Sequence, residues 1–389
     1  MRSILLIFIF VFSALSGAIA QSEWKWTVVM HDGRRYVPVE NVSDFYRLNV
    51  PLVIGNSFTI TGQGRTIKGQ DGGHEVYINN VKYVLCFPIV SKGGRLLISA
   101  MDVTKIIEPV MRPGKIKNAS AVRTVILDAG HGGHDSGATG PYGAEKDAAL
   151  DVVLRAKALL QANGYNVRLT RSTDVFIPLE QRPGFANKFP NALFVSVHLN
   201  KSNTIGGTGI ETYALAPRGV PSMDEASLSY SDFNLYPGHA HDAENIALAT
   251  AMHSSMLRHL RFYDRGIKRA RFVVIKNLTI PGILVEGGFM NNPVDARQIA
   301  GSPYRDEFAR AILEGVNRYR NAVAGEMQYF QPTAVVGATD STTAPLIKRD
   351  PVPTPAPTPP PPVGSKTSID GAVHQAAEAL APIVPTAPN

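Results

Sequence analysis

The stretch VILDAGHGG at residues 125–133 is an apolar run that ends at a histidine set among glycines. Two later stretches have the same form, namely LFVSVHLN at residues 193–200 and ILVEGGF at residues 283–289. Short apolar runs bounded by glycine and polar residues are typical of buried strands. In an open α/β sheet, ligands bind just beyond the carboxyl ends of the strands. The three stretches therefore predict neighbouring strands that bring polar side chains to one edge.

Four side chains are expected at that edge: His131, Glu145, His198 and Glu286. Two imidazoles and a carboxylate can bind zinc with one position left open, and a second carboxylate beside them is typical of a hydrolase. Each residue alone also fits a structural role, because histidines have several common roles and a helix dipole favours an acid such as Glu145 in the first turn. The grouping of all four favours the zinc site.

Strand and helix patterns alternate from residue 123 to about residue 320, which predicts an α/β three-layer sandwich with a mostly parallel or mixed sheet. The predicted strands are 124–127, 166–170, 192–198, 209–215, 272–275 and 282–286. The predicted helices are 147–162, 179–187, 241–260 and 304–319, with Pro183 in the middle of the second.

The two ends of the chain have the composition of segments outside a folded core. Residues 1–20 combine a positive start, an apolar run and the small-residue pattern Ala18-Ile19-Ala20, which predicts a signal peptide cut before Gln21. An uncleaved anchor is the alternative, but the apolar run is short for a membrane span. We therefore expect export to the periplasm or the cell exterior, with no stable membrane span after cleavage. Residues 323–389 are expected to form a Pro-rich, largely disordered tail.

A small β-rich domain is predicted at residues 21–112, followed by a linker at residues 113–122 and a catalytic domain at residues 123–322. A Gly-Arg pair followed by a strand and a helix occurs twice in the first domain, beginning at Gly33 and at Gly94, which indicates an internal repeat. The pattern resembles the small modules of the copper-amine-oxidase N-terminal type. The sequence does not distinguish two functions for this domain, a wall-binding module or a spacer.

The net charge and composition of the chain indicate which classes of binding partner are expected. The 389 residues carry a formal net charge of +7. Cleavage of the predicted signal peptide removes one positive charge, that of Arg2. A basic surface outside the cytoplasm suits anionic polymers of the cell envelope. No basic stripe interleaved with aromatic residues is present, so nucleic acid is not an expected partner. Cys86 is the only cysteine, which excludes an intrachain disulfide.

Six motifs together resemble the zinc-dependent N-acetylmuramoyl-L-alanine amidases of the type-3 amidase family. The resemblance runs in order from about residue 123 to residue 320, and Ser136, Pro183 and Asn291 are small departures from the family pattern. The motifs are LDAGHGGHDSGA at 127–138, EK at 145–146, LTRSTD at 169–174, Arg182 with the pair at 186–187, SVHLN at 196–200 and VEGGFMNN at 285–292.

The resemblance implies a bacterial cell-wall hydrolase with a phosphorylase/hydrolase-like sandwich fold. Such enzymes cut the amide between the lactyl group of N-acetylmuramic acid and the L-alanine of the peptidoglycan stem peptide. Carried over to this chain, His131, Glu145 and His198 would bind Zn²⁺ and Glu286 would be catalytic. Asn200, Arg171 and Arg182 are expected to bind the substrate.

Residues 216–240 form a long connection between a predicted strand and a predicted helix. Some envelope amidases of this kind carry an insert here that blocks the zinc until a protein activator removes it. A substrate-binding rim or a plain loop is the alternative.

Two other functions remain open from the sequence. A zinc carboxypeptidase of related fold would need a basic residue for a terminal carboxylate, for which Arg171, Arg182 and Arg271 are candidates. A non-catalytic wall-binding protein is the third reading, but a scaffold would have no need of all four site residues.

Overall fold

The computed structural model describes residues 25–119, 122–203, 207–223 and 228–326. The predicted signal peptide and nearly all of the predicted tail lie outside the described residues, as do residues 224–227 of the long connection. Within the described ranges, no helix is both long and apolar enough to cross a bilayer.

Most of the strands belong to one large mixed sheet. The strands are β1 Val29–His31, β2 Arg34–Pro38, β3 Leu52–Ile54, β4 Ser57–Gly62, β5 Arg65–Gln70, β6 Glu75–Ile78, β7 Val81–Val84, β8 Val90–Lys92, β9 Arg95–Ser99, β10 Thr124–Ala129, β11 Thr139–Gly140, β12 Gly143–Ala144, β13 Asn166–Leu169, β14 Ala192–Asn200, β15 Ile210–Leu215, β16 Asp264–Ala270 and β17 Gly282–Phe289.

The α-helices cover both faces of that sheet. They are α1 Val39–Phe45, α2 Ala100–Asp102, α3 Glu108–Met111, α4 Glu145–Ala162, α5 Gln181–Ala186, α6 Asp242–Leu260, α7 Val273–Lys276, α8 Pro293–Ala300 and α9 Ser302–Val323. A π-helical turn at Val103–Ile107 joins α2 to α3, and 3₁₀ turns lie at Pro113–Lys115, Tyr230–Phe233 and Pro237–His241.

The large sheet has the order β13-β10-β14-β17-β15-β16-β7-β6-β5-β4-β3. Strands β13, β10, β14 and β17 are parallel neighbours, and β15 runs antiparallel to β17. On one face, apolar residues of the central strands pack with those of α4, α6 and α9 in the main core. On the other face, a smaller core contains Ile126, Phe194 and Leu284 with residues of α5 and α7. The predicted three-layer α/β sandwich with a mixed sheet is therefore confirmed.

The N-terminal β-rich part joins the catalytic sheet directly. Strand β7 pairs in parallel with β16, at Tyr83 opposite Ile267, and the main core contains apolar residues from both parts of the chain. The two copies of the Gly-Arg pattern lie side by side, because β2 pairs with β9 and each strand leads into a helix. The 3₁₀ turn at Pro113–Lys115 packs near the end of α9, where Gly114 approaches Gly325. The N-terminal part is thus an extension of the catalytic unit.

Three local features of the structure differ from the predictions. The apolar run at 272–275 was predicted as a strand, but it contributes to the short helix α7, which packs Val274 and Ile275 into the smaller core. The neighbouring strand β16, DRGIKRA, was not predicted, because charged residues and a glycine mask its pattern. The second predicted helix is shorter than expected, and Pro183 lies in its first turn, where proline is tolerated.

Tyr83→Ala should test the continuity of the two parts. Tyr83 is buried, and its hydroxyl donates to Thr250 Oγ1 of α6 at 3.0 Å. Removing this side chain should lower the free energy of unfolding by about 3–5 kcal/mol, as for other buried aromatic residues. Denaturant unfolding should show one shifted transition, whereas the exposed control Tyr230→Ala should change stability by less than about 0.5 kcal/mol. If the variant showed a second unfolding transition at the wild-type midpoint, the N-terminal part and the catalytic part would not unfold as a single unit.

Candidate metal centre and active site

The central strands bring the four predicted side chains together. His198 of β14 pairs in register with Glu286 of β17, and His131 lies just past the end of β10. Residues paired across neighbouring strands point to the same face, so His198 and Glu286 lie side by side. Glu145 begins α4 and is buried. The parallel register of three strands thus positions groups that are far apart in the chain.

Close backbone approaches make room for the cluster. A Cβ on Gly130 would lie 2.4 Å from the His198 ring, and one on Gly137 would lie 2.5 Å from both Glu145 Oε2 and the His131 ring. Gly137 also has a φ of +65°, and His131 itself has a φ of +61°. A non-glycine residue in the left-handed region costs about 1–3 kcal/mol and is typical of functional sites.

One ligand atom from each of His131, Glu145 and His198 lies within 4.8 Å of the other two. Glu145 Oε2 is 3.1 Å from His131 Nε2, and Glu145 Oε1 is 2.8 Å from His198 Nδ1. The same carboxylate accepts the backbone N–H groups of Ala138 and Leu199 at 2.8 and 3.0 Å. Burial raises the pKa of Glu145, but the hydrogen bonds and charges of the two imidazoles outweigh it and hold that pKa well below its ordinary value. Glu145 is therefore an ionised carboxylate between two histidines.

Asp135 supports the cluster from behind, and the sequence reasoning gave it no role. Its Oδ2 lies 2.8 Å from His131 Nδ1, and its Oδ1 accepts the N–H of Gly137 at 3.1 Å. A carboxylate on Nδ1 favours the tautomer with a proton on that nitrogen, which leaves Nε2 available as a ligand. An acid four residues after a candidate ligand was the sequence signal for it.

Glu286 occupies the next strand and is not tied into the hydrogen-bond network. Its Oε2 is buried without a hydrogen-bond partner among the residues that the structure describes. Burial, and then the negative charges of Glu145 and Glu211, raise the pKa of Glu286 well above its ordinary value. A raised pKa favours the protonated form of the carboxyl group, which suits a group that must hold a proton during general acid–base catalysis.

Glu211 is a second feature that the sequence reasoning missed. It lies in β15 directly opposite Glu286 and is buried. Its carboxylate accepts hydrogen bonds from Tyr213, Arg265 and Lys268 at 2.6, 2.5 and 2.6 Å. A buried acid in an otherwise apolar strand was the available signal, because such a group needs partners.

The family model for N-acetylmuramoyl-L-alanine amidase matches residues 125–318. The amidase AmiA of Escherichia coli is 31% identical over 232 residues, which cover 53% of this chain and 78% of AmiA. The uncharacterized protein YqiI of Bacillus subtilis is 35% identical over 198 residues, which cover 51% of this chain and 84% of YqiI. The chain belongs to the N-acetylmuramoyl-L-alanine amidase family. It is therefore a hydrolase that acts on peptidoglycan.

Solved structures of such amidases also cover about half of the chain. The amidase AmiC2 of Nostoc punctiforme is 32% identical with a TM-score of 0.42, covering 52% of this chain and 98% of AmiC2. The catalytic domain of CwlV from Bacillus (Paenibacillus) polymyxa is 29% identical with a TM-score of 0.43, covering 52% of this chain and 99% of that domain.

The substrate-binding roles expected for Arg171 and Arg182 stay predictions, and the structure shows both side chains in structural contacts. Both side chains are buried beneath the group of His131, Glu145 and His198, which is called the metal cluster below. Arg171 donates to the carbonyls of Ala129, Gly130, Thr173 and Lys146. Arg182 forms an ion pair with Asp128 at 2.9 Å and donates to the carbonyls of Ala129, Ile177 and His131. The guanidinium groups therefore hold the backbone around His131.

Asn200 lies at the site, but part of its amide is engaged. Its Nδ2 donates to Glu211 Oε2 at 3.0 Å, and its Oδ1 accepts the N–H of Lys201 at 2.7 Å. The geometry thus gives Asn200 a contact with the Glu211 carboxylate, and its expected role in substrate binding stays a prediction.

Arg271, the third basic candidate of the carboxypeptidase reading, is also buried. It forms an ion pair with Asp232 at 2.5 Å and donates to the carbonyl of Pro217. Both partners belong to the long connection after β15, so Arg271 anchors that connection.

The long connection at residues 216–240 leaves the sheet at the edge opposite the metal cluster. Strand β15 runs antiparallel to β17, so Glu211 lies beside Glu286 while Leu215 lies about 14 Å farther along the strand. The described part of the connection bonds to Ala270, Arg269 and Arg271 at that far edge. The described residues of this connection therefore favour the plain-loop alternative over a block of the candidate metal site.

Asp135→Ala should weaken metal binding. Loss of a carboxylate behind a histidine ligand typically lowers metal affinity by about 10–100-fold. Competition with a chromophoric chelator would measure it, with the exposed Asp147→Ala as the matched control. Unchanged zinc affinity of the Asp135 variant would contradict the support of His131 by this carboxylate.

Arg182→Ala should act on stability. The substitution leaves Asp128 buried without its cation, which typically costs about 3–5 kcal/mol. Denaturant unfolding should show this loss, and the exposed Arg297→Ala should show little change. A normal free energy of unfolding combined with a raised KM would support the substrate-binding role.

Proposed function

We propose that the chain is an exported zinc amidase in which His131, Glu145 and His198 bind zinc and Glu286 transfers protons. The observation that carries the proposal is the convergence of these side chains from β10, α4, β14 and β17. Family membership establishes the amidase, whereas the roles of the residues, the identity of the metal and export are inferred.

The donor set fits zinc. Two imidazole nitrogens and one carboxylate oxygen match the three protein ligands of catalytic zinc sites. The buried Oε2 of Glu286, without a hydrogen-bond partner among the described residues, also fits a site that expects a further polar group. When bound, zinc would supply a Lewis acid that polarises the amide carbonyl and lowers the pKa of water to about 7.

Glu286 then performs the proton transfers. Its raised pKa lets the carboxylate take a proton from the attacking water and hold it while the carbon–nitrogen bond breaks. The same proton passes to the departing amine of L-alanine, which makes that amine a better leaving group. Glu145 cannot share this role, because the two imidazoles stabilise its ionised form.

The amide bond between the lactyl group and L-alanine is the proposed substrate bond. Family membership supports it, and the burial of Arg171, Arg182 and Arg271 argues against the carboxypeptidase alternative. The complete cluster argues against a wall-binding scaffold without activity.

Export is proposed from the sequence of residues 1–20, with the periplasm or the cell exterior as the destination. The catalytic domain is assigned to residues 123–322, and the small β-rich domain to residues 21–112, of which strands β3 to β7 extend the catalytic sheet. The turn at Pro113–Lys115 lies within the proposed linker at 113–122, and residues 323–389 remain the proposed tail. An activator acting on residues 216–240 would have to work from the far edge of the sheet.

Glu286→Gln should keep zinc and lose turnover. The amide has the size of the carboxyl group but cannot take up a proton, so kcat should fall by about 10²–10⁴-fold. Zinc content should be measured by atomic absorption, and the rate of amide cleavage should be measured on peptidoglycan fragments with the same preparation. The exposed Glu180→Gln is the matched control, and near-native turnover by the Glu286 variant would eliminate the proposed role.

Purified peptidoglycan should release new L-alanine amino termini. Mass spectrometry would identify the ends, which should be lost with a chelator and restored by zinc. Release of single terminal amino acids would indicate a carboxypeptidase, and wall binding without cleavage would indicate a scaffold.

A further inference from the structure

A row of charged side chains crosses the sheet beside the metal cluster. His198, Glu286 and Glu211 are paired in register across β14, β17 and β15, so all three point to the same face. Lys268 of β16 is paired with Tyr213, which lies two residues after Glu211 and therefore shares that face. The row thus continues from the proposed zinc site through the proton-transfer group to a cation.

The far end of the row carries a net positive charge. Arg265 Nε and Lys268 Nζ both contact Glu211 Oε1, at 2.5 and 2.6 Å, so two cations share one buried carboxylate. The Arg265 side chain remains 35% exposed and the Lys268 side chain 15% exposed, against 3% for Glu211. Each cation has further N–H donors beyond the one that faces Glu211. The surface above Glu211 therefore offers donors and positive charge to an anion.

The cations on the other side of the metal cluster are engaged differently. Arg171 and Arg182 are buried against backbone carbonyls, and Lys146 Nζ contacts Asp174 at 2.6 Å and the carbonyl of Gly133 at 2.8 Å. The site is therefore electrostatically polarised, with its accessible positive charge on the β15–β16 side.

The position of Glu286 indicates that the peptide side of the substrate, and not the sugar side, lies near the positive charge of Arg265 and Lys268. Under the function proposed above, Glu286 gives its proton to the amine of L-alanine, where the stem peptide begins. Glu286 lies between the metal cluster and β15, so the departing peptide extends toward β15 and β16. These strands lie about 5 and 10 Å from β17. L-alanine spans at most about 3.6 Å, so the second peptide residue would begin near β15, where the Arg265 and Lys268 side chains contact Glu211.

We propose that Arg265 and Lys268, held by Glu211, bind the free carboxylate of the second residue of the stem peptide. In peptidoglycan this residue is a γ-linked glutamate whose α-carboxyl group is either free or amidated. The site should therefore prefer the free acid over the amide. This inference rests on the proposed function for the direction of the peptide, and it names a specificity that the family assignment does not contain.

The test compares two muramoyl dipeptides that differ only in this group, N-acetylmuramoyl-L-alanyl-D-isoglutamate and its isoglutamine amide. The zinc-loaded wild-type protein should show a KM about tenfold lower for the acid, with similar kcat values. Lys268→Gln and Arg265→Gln should each reduce this preference, by raising the KM for the acid more than the KM for the amide. Lys268→Arg should retain it, and the exposed Arg297→Gln is the matched control. Added salt should narrow the preference, because partly exposed charges are screened.

Binding supplies a readout independent of turnover. Calorimetry with the Glu286→Gln variant should give the same preference for the acid, and Lys268→Gln in that background should abolish it. Equal affinity of wild-type protein for acid and amide would overturn the subsite, even if no variant folds. Equal losses on both ligands in the variants would also overturn it and would assign the cations to the support of Glu211.

These outcomes separate the subsite from the catalytic proposal. Cleavage of both dipeptides without a preference would contradict the subsite alone. A preference in binding, without cleavage of either dipeptide by the zinc-loaded protein, would contradict the proposed catalytic roles and leave the subsite intact.

Discussion

The carboxylate of Glu145 between two imidazoles is the interaction on which the active-site edge depends. Glu145 is buried at the start of α4, and a buried charge is stable only when its oxygens have partners. The His131 and His198 rings and two backbone N–H groups supply them. To satisfy one carboxylate, the loop after β10, the beginning of α4 and the end of β14 must all lie within a few ångströms.

A second group of buried charges lies beneath this cluster and holds the loop that carries His131. Arg182 and Asp128 form an ion pair under the loop, and the remaining donors of Arg182 hold backbone carbonyls that include that of His131. Removing one partner of such a pair is costly because it leaves the other charge buried and unpaired. The arginines that resemble substrate-binding groups in sequence are therefore the framework that holds the histidine loop, and the accessible cations lie two strands farther along the sheet.

The extension of the sheet has a related consequence. Without the N-terminal strands, β16 would be an edge strand with unpaired backbone groups, which is a hazard for aggregation. Here β7 pairs with β16, and Asp264 at the start of β16 accepts the N–H of Lys82 at 3.0 Å. The first part of the chain therefore covers the edge next to Arg265 and Lys268, and it contributes to the same core as the catalytic strands.

The sequence by itself determined the sandwich fold, the parallel central strands and the three residues at their ends, with Glu145 at the start of the next helix, because apolar runs of strand length and their polar ends are local patterns. It could not assign Asp135, Glu211 or the buried arginines, since the role of a charged side chain depends on which carbonyls and charges surround it. Strand β16 and the helix α7 were likewise decided by packing, which overrides local propensity in short segments. Only the tertiary structure decided the order of the strands, and that order places positive charge beside Glu286 and the long connection at the opposite edge.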